Sequence, residues 1–402
     1  MAPQPAVAVE SGDCSQWRAR RKTSAMRPLR IALLRQGYSP FGGAERYLER
    51  LSLALQSEGL EVTLLTRAWP APAAFSVVTC DPFHLGRLWR DVGFAYRARR
   101  VLAARRFDLV QSHERIPDCD VYRAGDGVHR EWLIQRRSGM GLLGRARSRL
   151  SPYHQFVLWQ EKRVFRGPRL RAVVCNSRMV RKDIITHYGV AADKLHVIYP
   201  GVDAACFSPA LKARYRASVR RMHSIDPEAL VLLFVGSGFE RKGLRAVLDG
   251  IAALREPLHL VVVGHDTDVQ SYASQAARLG IGARVHFAQG QPDVRPFYGA
   301  ADAFVLPSLY DPFAAAVQEA MAVGLPVVTS TKTGAAELVR HGESGFVCEP
   351  LDTSALVAAL QQLRSPELRE RMGAAARRTI EPMTLDAMGK QFRDLYAVLT
   401  GP

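Results

Sequence analysis

The sequence predicts an α/β protein of two Rossmann-like domains, each with a parallel sheet, that face a central cleft. The chain has 402 residues, more than one ordinary hydrophobic core holds, so two domains are expected. Short runs of β-branched residues alternate with amphipathic stretches, which is typical of parallel α/β architecture. This alternation starts a second time after a turn-rich segment at residues 200–203. In such sheets ligands bind beyond the carboxyl ends of the strands, so the cleft is the expected site.

The predicted elements follow from this alternation. Strands are expected in the first half at residues 30–34, 62–66, 109–112, 173–176 and 196–199, and in the second half at 230–235, 258–263, 285–287, 303–306 and 326–329. Amphipathic helices are predicted at residues 44–58, 244–254 and 383–399. We therefore expect an N-terminal domain at 27–201 and a C-terminal domain at 202–383. Residues 1–26 are basic, lack apolar patterning and are predicted to be disordered.

Composition limits the function classes. Hydrophobic residues make up 48% and charged residues 23% of the chain, as in ordinary globular proteins. No apolar run approaches the roughly 18 residues of a membrane span. The six cysteines are scattered, which favours a reducing compartment and argues against a structural zinc site. The net charge of +17 suits three partners: nucleic acid, an anionic membrane face or phosphorylated small molecules.

Two glycine-rich turns are candidates for phosphate binding. Gly42 and Gly43 precede the first helix, where they form either a plain tight turn or a close approach to a phosphate. Residues 236–243 (GSGFERKG) follow a strand and place Arg241 beside Lys242. Two adjacent cations at a helix start oppose the helix dipole unless an anion, such as a diphosphate, lies between them. The alternative is a solvated surface pair.

Two carboxylates follow in the second half. Asp311 precedes Pro312 and can cap a helix at residues 314–323. Glu319 lies within this otherwise apolar helix, where a buried carboxylate favours a polar ligand such as ribose hydroxyls. In isolation, a capping aspartate and an exposed helical glutamate are the better interpretation of the pair.

These residues carry a family resemblance. The stretch 308–349 resembles the donor-binding core of the retaining GT-B glycosyltransferases of family four (group 1). The matching phrases are Asp311 with Glu319 eight residues later, AVGLPVV at 322–328, GAAE at 334–337 and GESGF at 342–346. Residues 171–203 and 42–45 also match, so the likeness spans about residues 28–380. YDPF at 310–313 and YRAGDGVHREW at 122–132 resemble the lipopolysaccharide-core glucosyltransferase branch. The family's first glutamate is Asp311 here.

The resemblance implies a GT-B fold and a set of roles on the donor side. Arg241 and Lys242 would neutralise a departing diphosphate in place of a metal, and Glu319 would hold the ribose. Asp311, with the backbone N–H groups of Phe313 and Ala314, would grip the sugar and phosphate. Gly42 and Gly43 would close the phosphate site from the other domain. Retention is expected by front-face attack, with the leaving phosphate taking the acceptor proton, so no enzyme nucleophile, metal or cofactor is required.

Further roles concern the acceptor side and the chain terminus. His113 follows a strand where the resemblance places a residue beside the donor sugar, although a lone histidine is more often structural. Asp126 and His129 are acceptor-side candidates. The C-terminal helix, within residues 384–402, is expected to return to the first domain.

The basic segment 136–171 has ten Arg or Lys residues against one acidic residue, with apolar and aromatic residues between them. It is expected to dock on an anionic membrane leaflet, although a solvated helix pair would show the same pattern.

The predicted function is transfer of a hexose, with UDP-glucose as the favoured donor, to a heptose of the lipopolysaccharide core at the inner face of the cytoplasmic membrane. Another nucleotide sugar or lipid-linked acceptor on the same fold is the alternative. A basic nucleic-acid-binding protein would need a reading module, which the sequence lacks. A nicotinamide-dependent dehydrogenase would need GxGxxG, which is also missing.

Overall fold

The computed structural model describes residues 27–37, 43–70, 73–138, 140–254 and 258–401. The predicted disordered segment 1–26 and Gly42 lie outside these ranges. Within them the chain forms two parallel sheets covered by helices. The predicted α/β class is therefore confirmed.

The first domain contains a seven-stranded sheet with the order β3-β2-β1-β4-β5-β6-β7. Its strands are β1 (Arg30–Leu34), β2 (Glu61–Thr66), β3 (Ser76–Thr79), β4 (Leu109–Ser112), β5 (Val121–Arg123), β6 (Ala172–Cys175) and β7 (Leu195–Val197). Its helices are α1 (Gly43–Ser57), α2 (Gly86–Ala104), α3 (His129–Ser138), α4 (Leu142–Leu150), α5 (Pro152–Phe165) and α6 (Arg178–Tyr188), with a 3-10 turn at Ala192–Lys194. The central strands are buried on both faces, which explains their continuous apolar runs.

The second domain contains a six-stranded parallel sheet with the order β10-β9-β8-β11-β12-β13. After α7 (Ala210–Met222), its strands are β8 (Leu230–Val235), β9 (Leu258–Val263), β10 (Val285–Phe287), β11 (Ala303–Leu306), β12 (Val327–Ser330) and β13 (Gly345–Cys348). Its other helices are α8 (Phe239–Lys242), α9 (Leu244–Ala253), α10 (Val269–Arg278), α11 (Arg295–Ala300), α12 (Ala315–Val323), α13 (Thr353–Gln362) and α14 (Pro366–Ile380), with 3-10 turns at Gly282–Arg284 and Gly334–Leu338.

The chain crosses between the domains at two adjacent points. Val202, just after the first sheet, forms a parallel bridge with Thr384. Gly201 lies so close to this return crossing that a Cβ atom would be 2.7 Å from the Thr384 carbonyl oxygen. The last helix, α15 (Leu385–Thr400), then packs on α1 through residues such as Phe392 and Tyr396, which belong to the core of the first domain.

Two differences from the predicted elements have local causes. β3 (SVVT), β5 (VYR) and β13 (GFVC) were not predicted, because polar residues, an arginine or a glycine reduce each of them to two or three consecutive apolar residues. Arg241 and Lys242 do not begin a helix, since they end the one-turn helix α8, which lies between left-handed glycines at 238 and 243. At Gly243 a Cβ atom would be 2.2 Å from the Pro307 carbonyl oxygen, so this turn requires glycine.

Among the helices of the described ranges, none is long and apolar enough to cross a membrane.

Candidate active site

A cavity of about 540 Å³ lies between the two domains, at the carboxyl ends of both sheets. The first domain contributes the start of α1 and the turn after β5, and the second contributes the turns after β8 and β11. Of the predicted site residues, those lining this cavity are Gly43, Asp126, His129, Arg241, Lys242, Asp311, Phe313, Ala314 and Glu319. The structure therefore brings these predicted donor-side and acceptor-side residues to one cleft.

Asp311 is the centre of the charged cluster in this cavity. Its Oδ2 atom accepts a hydrogen bond from Lys242 and lies 3.1 Å from Nη1 of Arg241. Burial favours the neutral carboxyl group, but the charges of Lys242 and Arg241 outweigh it and lower the pKa of Asp311 to about 2. Asp311 is therefore ionised at neutral pH.

The lysine is held differently from the arginine. Lys242 is buried, and its side chain packs against Gly236. A Cβ atom added at Gly236 would lie 3.1 Å from Cε of Lys242. Burial lowers the pKa of Lys242, and Asp311 opposes this shift. Arg241 is about one-third exposed and also donates to the Tyr310 carbonyl oxygen at 3.3 Å. Two cations thus share one carboxylate, which leaves positive charge in excess for an anionic ligand.

The start of α12 faces the same cavity. The Oδ1 atom of Asp311 accepts the backbone N–H groups of Phe313 at 3.2 Å and Ala314 at 2.8 Å. Those two groups are therefore engaged by Asp311, and their role in donor binding remains a prediction. Ala314 has a φ of 57°, a strained value for a non-glycine residue. This turn leaves the N–H groups of Ala315 and Ala316 without an acceptor in the described part of the chain, and both residues line the cavity.

Glu319 lies one turn further along α12 and is 7% exposed. Its Oε2 atom accepts a hydrogen bond from the Tyr298 hydroxyl at 3.1 Å, and its Oε1 atom lies 3.6 Å from Nη1 of Arg50. Arg50 belongs to α1, so this ion pair joins the two domains across the cleft. The ribose role of Glu319 remains a prediction.

Tyr310 links the turn after β11 to the first domain. Its hydroxyl accepts the backbone N–H of Val128 at 3.0 Å and donates to Oδ2 of Asp183 at 3.0 Å. Gly127 packs so tightly here that a Cβ atom would be 2.6 Å from Pro312. The loop that carries Asp126 and the turn that carries Asp311 are therefore in direct contact.

The predicted histidines lie in different surroundings. His113 is buried behind Tyr47, with ring centroids 6.2 Å apart, and is not among the residues lining the cavity. His129 does line it, and its Nε2 atom lies 3.1 Å from Nδ1 of His154. Burial, Arg115 and His154 lower the pKa of His129 to about 3, so it is neutral at physiological pH. Asp126 is exposed, 3.8 Å from Arg115.

Three lining arginines of the first domain were not predicted: Arg46 and Arg50 on α1, and Arg123 at the end of β5. No two of them are adjacent in the sequence, and nothing in their local pattern shows that they would meet in one cavity. Arg46 donates to the Pro292 carbonyl oxygen of the second domain at 3.2 Å. Only the tertiary structure places these residues opposite Arg241 and Lys242.

In the described ranges, no group of three or more His, Cys, Asp or Glu side chains is arranged to hold a metal ion.

Two parallel α/β domains with a cationic cleft between them define the GT-B architecture of glycosyltransferases, as predicted. Residues 216–379 match the family Glycosyl transferases group 1, and residues 41–205 match Glycosyltransferase Family 4. Because these two matches together cover most of the chain, the protein belongs to these glycosyltransferases.

Proteins similar in sequence and structure are also glycosyltransferases by name. The chain is 26% identical over 373 residues to the lipopolysaccharide glucosyltransferase WaaG of Escherichia coli, covering 91% of this chain and 98% of WaaG. It is 27% identical over 399 residues to the D-inositol 3-phosphate glycosyltransferase of Thermomonospora curvata, covering 90% and 91%. The crystal structure of WaaG, a glycosyltransferase involved in lipopolysaccharide biosynthesis, superimposes with a TM-score of 0.79 at 25% identity, covering 92% of this chain and 100% of that one.

Proposed function

We propose that this glycosyltransferase moves a hexose, with retention of configuration and without a metal ion, from a nucleotide sugar to a lipopolysaccharide core heptose. Glucose is the favoured sugar, because the relative WaaG is by name a lipopolysaccharide glucosyltransferase, and we infer UDP as its carrier. The observation that carries the proposal is the placement of Arg241 and Lys242 with Asp311, beside the start of α12, in one interdomain cavity.

On this proposal the second domain binds the donor. The diphosphate lies against Arg241, Lys242 and the free N–H groups of Ala315 and Ala316, where side-chain charge and the helix dipole both favour an anion. Negative charge grows on the diphosphate as its bond to the sugar breaks. Preorganised cations are most effective where such charge develops, so they take the place of a divalent metal.

The first domain presents the acceptor. The acceptor hydroxyl oxygen attacks C1 of the donor sugar from the side of the leaving group, the C1–O bond to the diphosphate breaks, and the hydroxyl proton passes to the departing phosphate oxygen. Asp126 and His129 line this side of the cavity and would orient the acceptor. The contact of Tyr310 with Val128 would hold the loop that carries Asp126 and His129 in a fixed position beside the donor.

A second candidate is transfer to a different acceptor by the same chemistry. The relatives named D-inositol 3-phosphate glycosyltransferase are as similar in sequence as WaaG. An acceptor of that type, or a different nucleotide sugar, would use the same diphosphate site.

A thermal-shift screen of nucleotide sugars tests the donor assignment, since a ligand that binds only the folded state raises the melting temperature. We expect UDP-glucose to give a larger shift than ADP-glucose or GDP-mannose, and free glucose to give none. A larger shift with another nucleotide sugar would reassign the donor, and no shift with any of them would contradict the proposal.

We further propose that α4 and α5 dock on the anionic inner leaflet, where a lipid-linked acceptor lies. Leu150 and Trp159 are 80% and 52% exposed, so two large apolar side chains contact solvent on these helices. Arg149, Lys162 and Arg163 are exposed beside them, and Arg163 stacks on Trp159 at 4.7 Å. Exposed apolar groups flanked by cations suit a membrane interface.

Replacing Arg149, Lys162 and Arg163 by serine should weaken binding to anionic vesicles roughly 100-fold, at about 1 kcal/mol for each basic residue. Co-sedimentation with phosphatidylglycerol-containing vesicles measures this effect. Serine at Arg221, Arg371 and Arg378, all exposed on the second domain, removes the same charge and serves as the control. Equal loss in both variants would show that net charge, not this surface, drives binding.

A further inference from the structure

Arg123 is a buried cation that no carboxylate of the described residues neutralises. It is 7% exposed, lies at the carboxyl end of β5 and lines the interdomain cavity. No carboxylate of the described residues forms an ion pair with it. An unpaired buried charge is costly unless a ligand compensates it. A guanidinium retained in this position therefore indicates an anion-binding site.

The surrounding residues hold this side chain in place. The guanidinium carbon of Arg123 lies 3.6 Å from the ring centroid of Tyr47, a cation–π stack. Its other side packs over Gly125, where a Cβ atom would lie only 1.9 Å from Nη1. The guanidinium is thus fixed between an aromatic ring and a residue without a side chain, with its orientation set before any ligand binds.

Further cations lie on the same wall of the cavity. Arg46 and Arg50 extend from α1, and the only acceptor that Arg46 contacts among the described residues is the Pro292 carbonyl oxygen. Arg50 faces Glu319 at 3.6 Å. If a donor ribose takes Glu319, Arg50 is released toward the cavity as well. The wall then offers up to three guanidinium groups to the second substrate.

We propose that Arg123, assisted by Arg46, binds an anionic group, a phosphate or carboxylate, on the acceptor sugar. This inference rests on the proposed function. The donor diphosphate has its own cations, Arg241 and Lys242, on the opposite domain. Arg123 instead begins the loop that carries Asp126 and His129, the acceptor side. A planar guanidinium matches a phosphate or carboxylate through two parallel hydrogen bonds, which also orients the sugar.

The test compares Arg123→Met with the unmodified protein by calorimetry, with UDP saturating the donor site. Glucose 6-phosphate is the anionic probe and glucose its uncharged match. The unmodified protein should bind glucose 6-phosphate about tenfold or more tightly than glucose, and Arg123→Met should abolish this preference. Arg123→Lys should restore only part of the preference for glucose 6-phosphate, because lysine keeps the charge but lacks the planar group that forms two parallel hydrogen bonds. UDP affinity should change less than about twofold, a difference too small to reflect a lost charged contact.

The melting temperature of Arg123→Met distinguishes an anion-binding role of Arg123 from a purely structural one. A binding-site cation without a partner destabilises the empty protein, so Arg123→Met should raise the melting temperature, whereas loss of a merely structural stack would lower it. An unchanged preference for glucose 6-phosphate in the variant would overturn the inference. A matching loss of UDP affinity would place Arg123 in the donor site instead. Failure of the unmodified protein to bind UDP would contradict the proposed function itself.

Discussion

Replacing Lys242 with methionine should lower kcat for glycosyl transfer by a factor of about 100 or more, as expected for losing a group that stabilises charge in the transition state. Methionine keeps most of the packing of the lysine stem against Gly236 but removes the positive charge next to the departing diphosphate. KM for the donor should rise much less than kcat falls. Steady-state kinetics with the donor found by the screen measures both constants.

Two variants control for the effect of this change on folding. Lys242→Met leaves the buried Asp311 with only Arg241 as an ion-pair partner, so some loss of stability is expected. The double variant Lys242→Met with Asp311→Asn removes both charges and should recover stability without recovering kcat. Lys242→Arg keeps the charge and should retain more activity than methionine. A kcat near that of the unmodified protein in Lys242→Met would remove this residue from the mechanism.

Replacing Glu319 with glutamine should weaken UDP binding roughly 10- to 100-fold, the expected loss when a charged hydrogen-bond acceptor becomes neutral. The carboxylate is buried on α12 and faces the cavity, where ribose hydroxyls would find a strong acceptor. Because ribose is remote from the reacting bond, kcat should change less than affinity. Calorimetric titration with UDP measures the change.

A double comparison with 2′,3′-dideoxyuridine diphosphate identifies what Glu319 contacts. The unmodified protein should lose affinity for the dideoxy ligand, while Glu319→Gln should show little further loss, because the contact is already gone. Independent, additive losses would show that Glu319 binds something other than the ribose. Arg50→Met serves as a control, since it breaks the ion pair with Glu319 but leaves the carboxylate in place.

The fold could be predicted from the sequence wherever local pattern and tertiary burial agree. Leu230–Val235 is a continuous apolar run and Leu258–Val263 is apolar except for His259, and both form strands with the predicted bounds. β5 was missed because only two apolar residues precede its arginine, and its extended conformation is defined by pairing with β4 and β6. Such a strand depends on its neighbours more than on its own propensity.

The site residues could be predicted where they are close together in the sequence. Arg241 and Lys242 are adjacent in sequence, and Asp311 and Glu319 stand at fixed spacing around one helix start, so the residues themselves point to the chemistry. Arg50 and Arg123 carry no such signal, since either could equally be a solvent-exposed charge. Their placement depends on how α1 and β5 meet the second domain across the cleft.

The central claim is that Arg241 and Lys242 supply the positive charge that a divalent metal would otherwise provide to the leaving diphosphate. The most direct measurement is the rate of sugar transfer by chelator-treated protein, with EDTA present and then with Mg²⁺ or Mn²⁺ in excess. We predict that the rate stays within about twofold under all three conditions, because the side chains already provide the electrostatic stabilisation. Loss of transfer in EDTA and its return with either metal would contradict the claim.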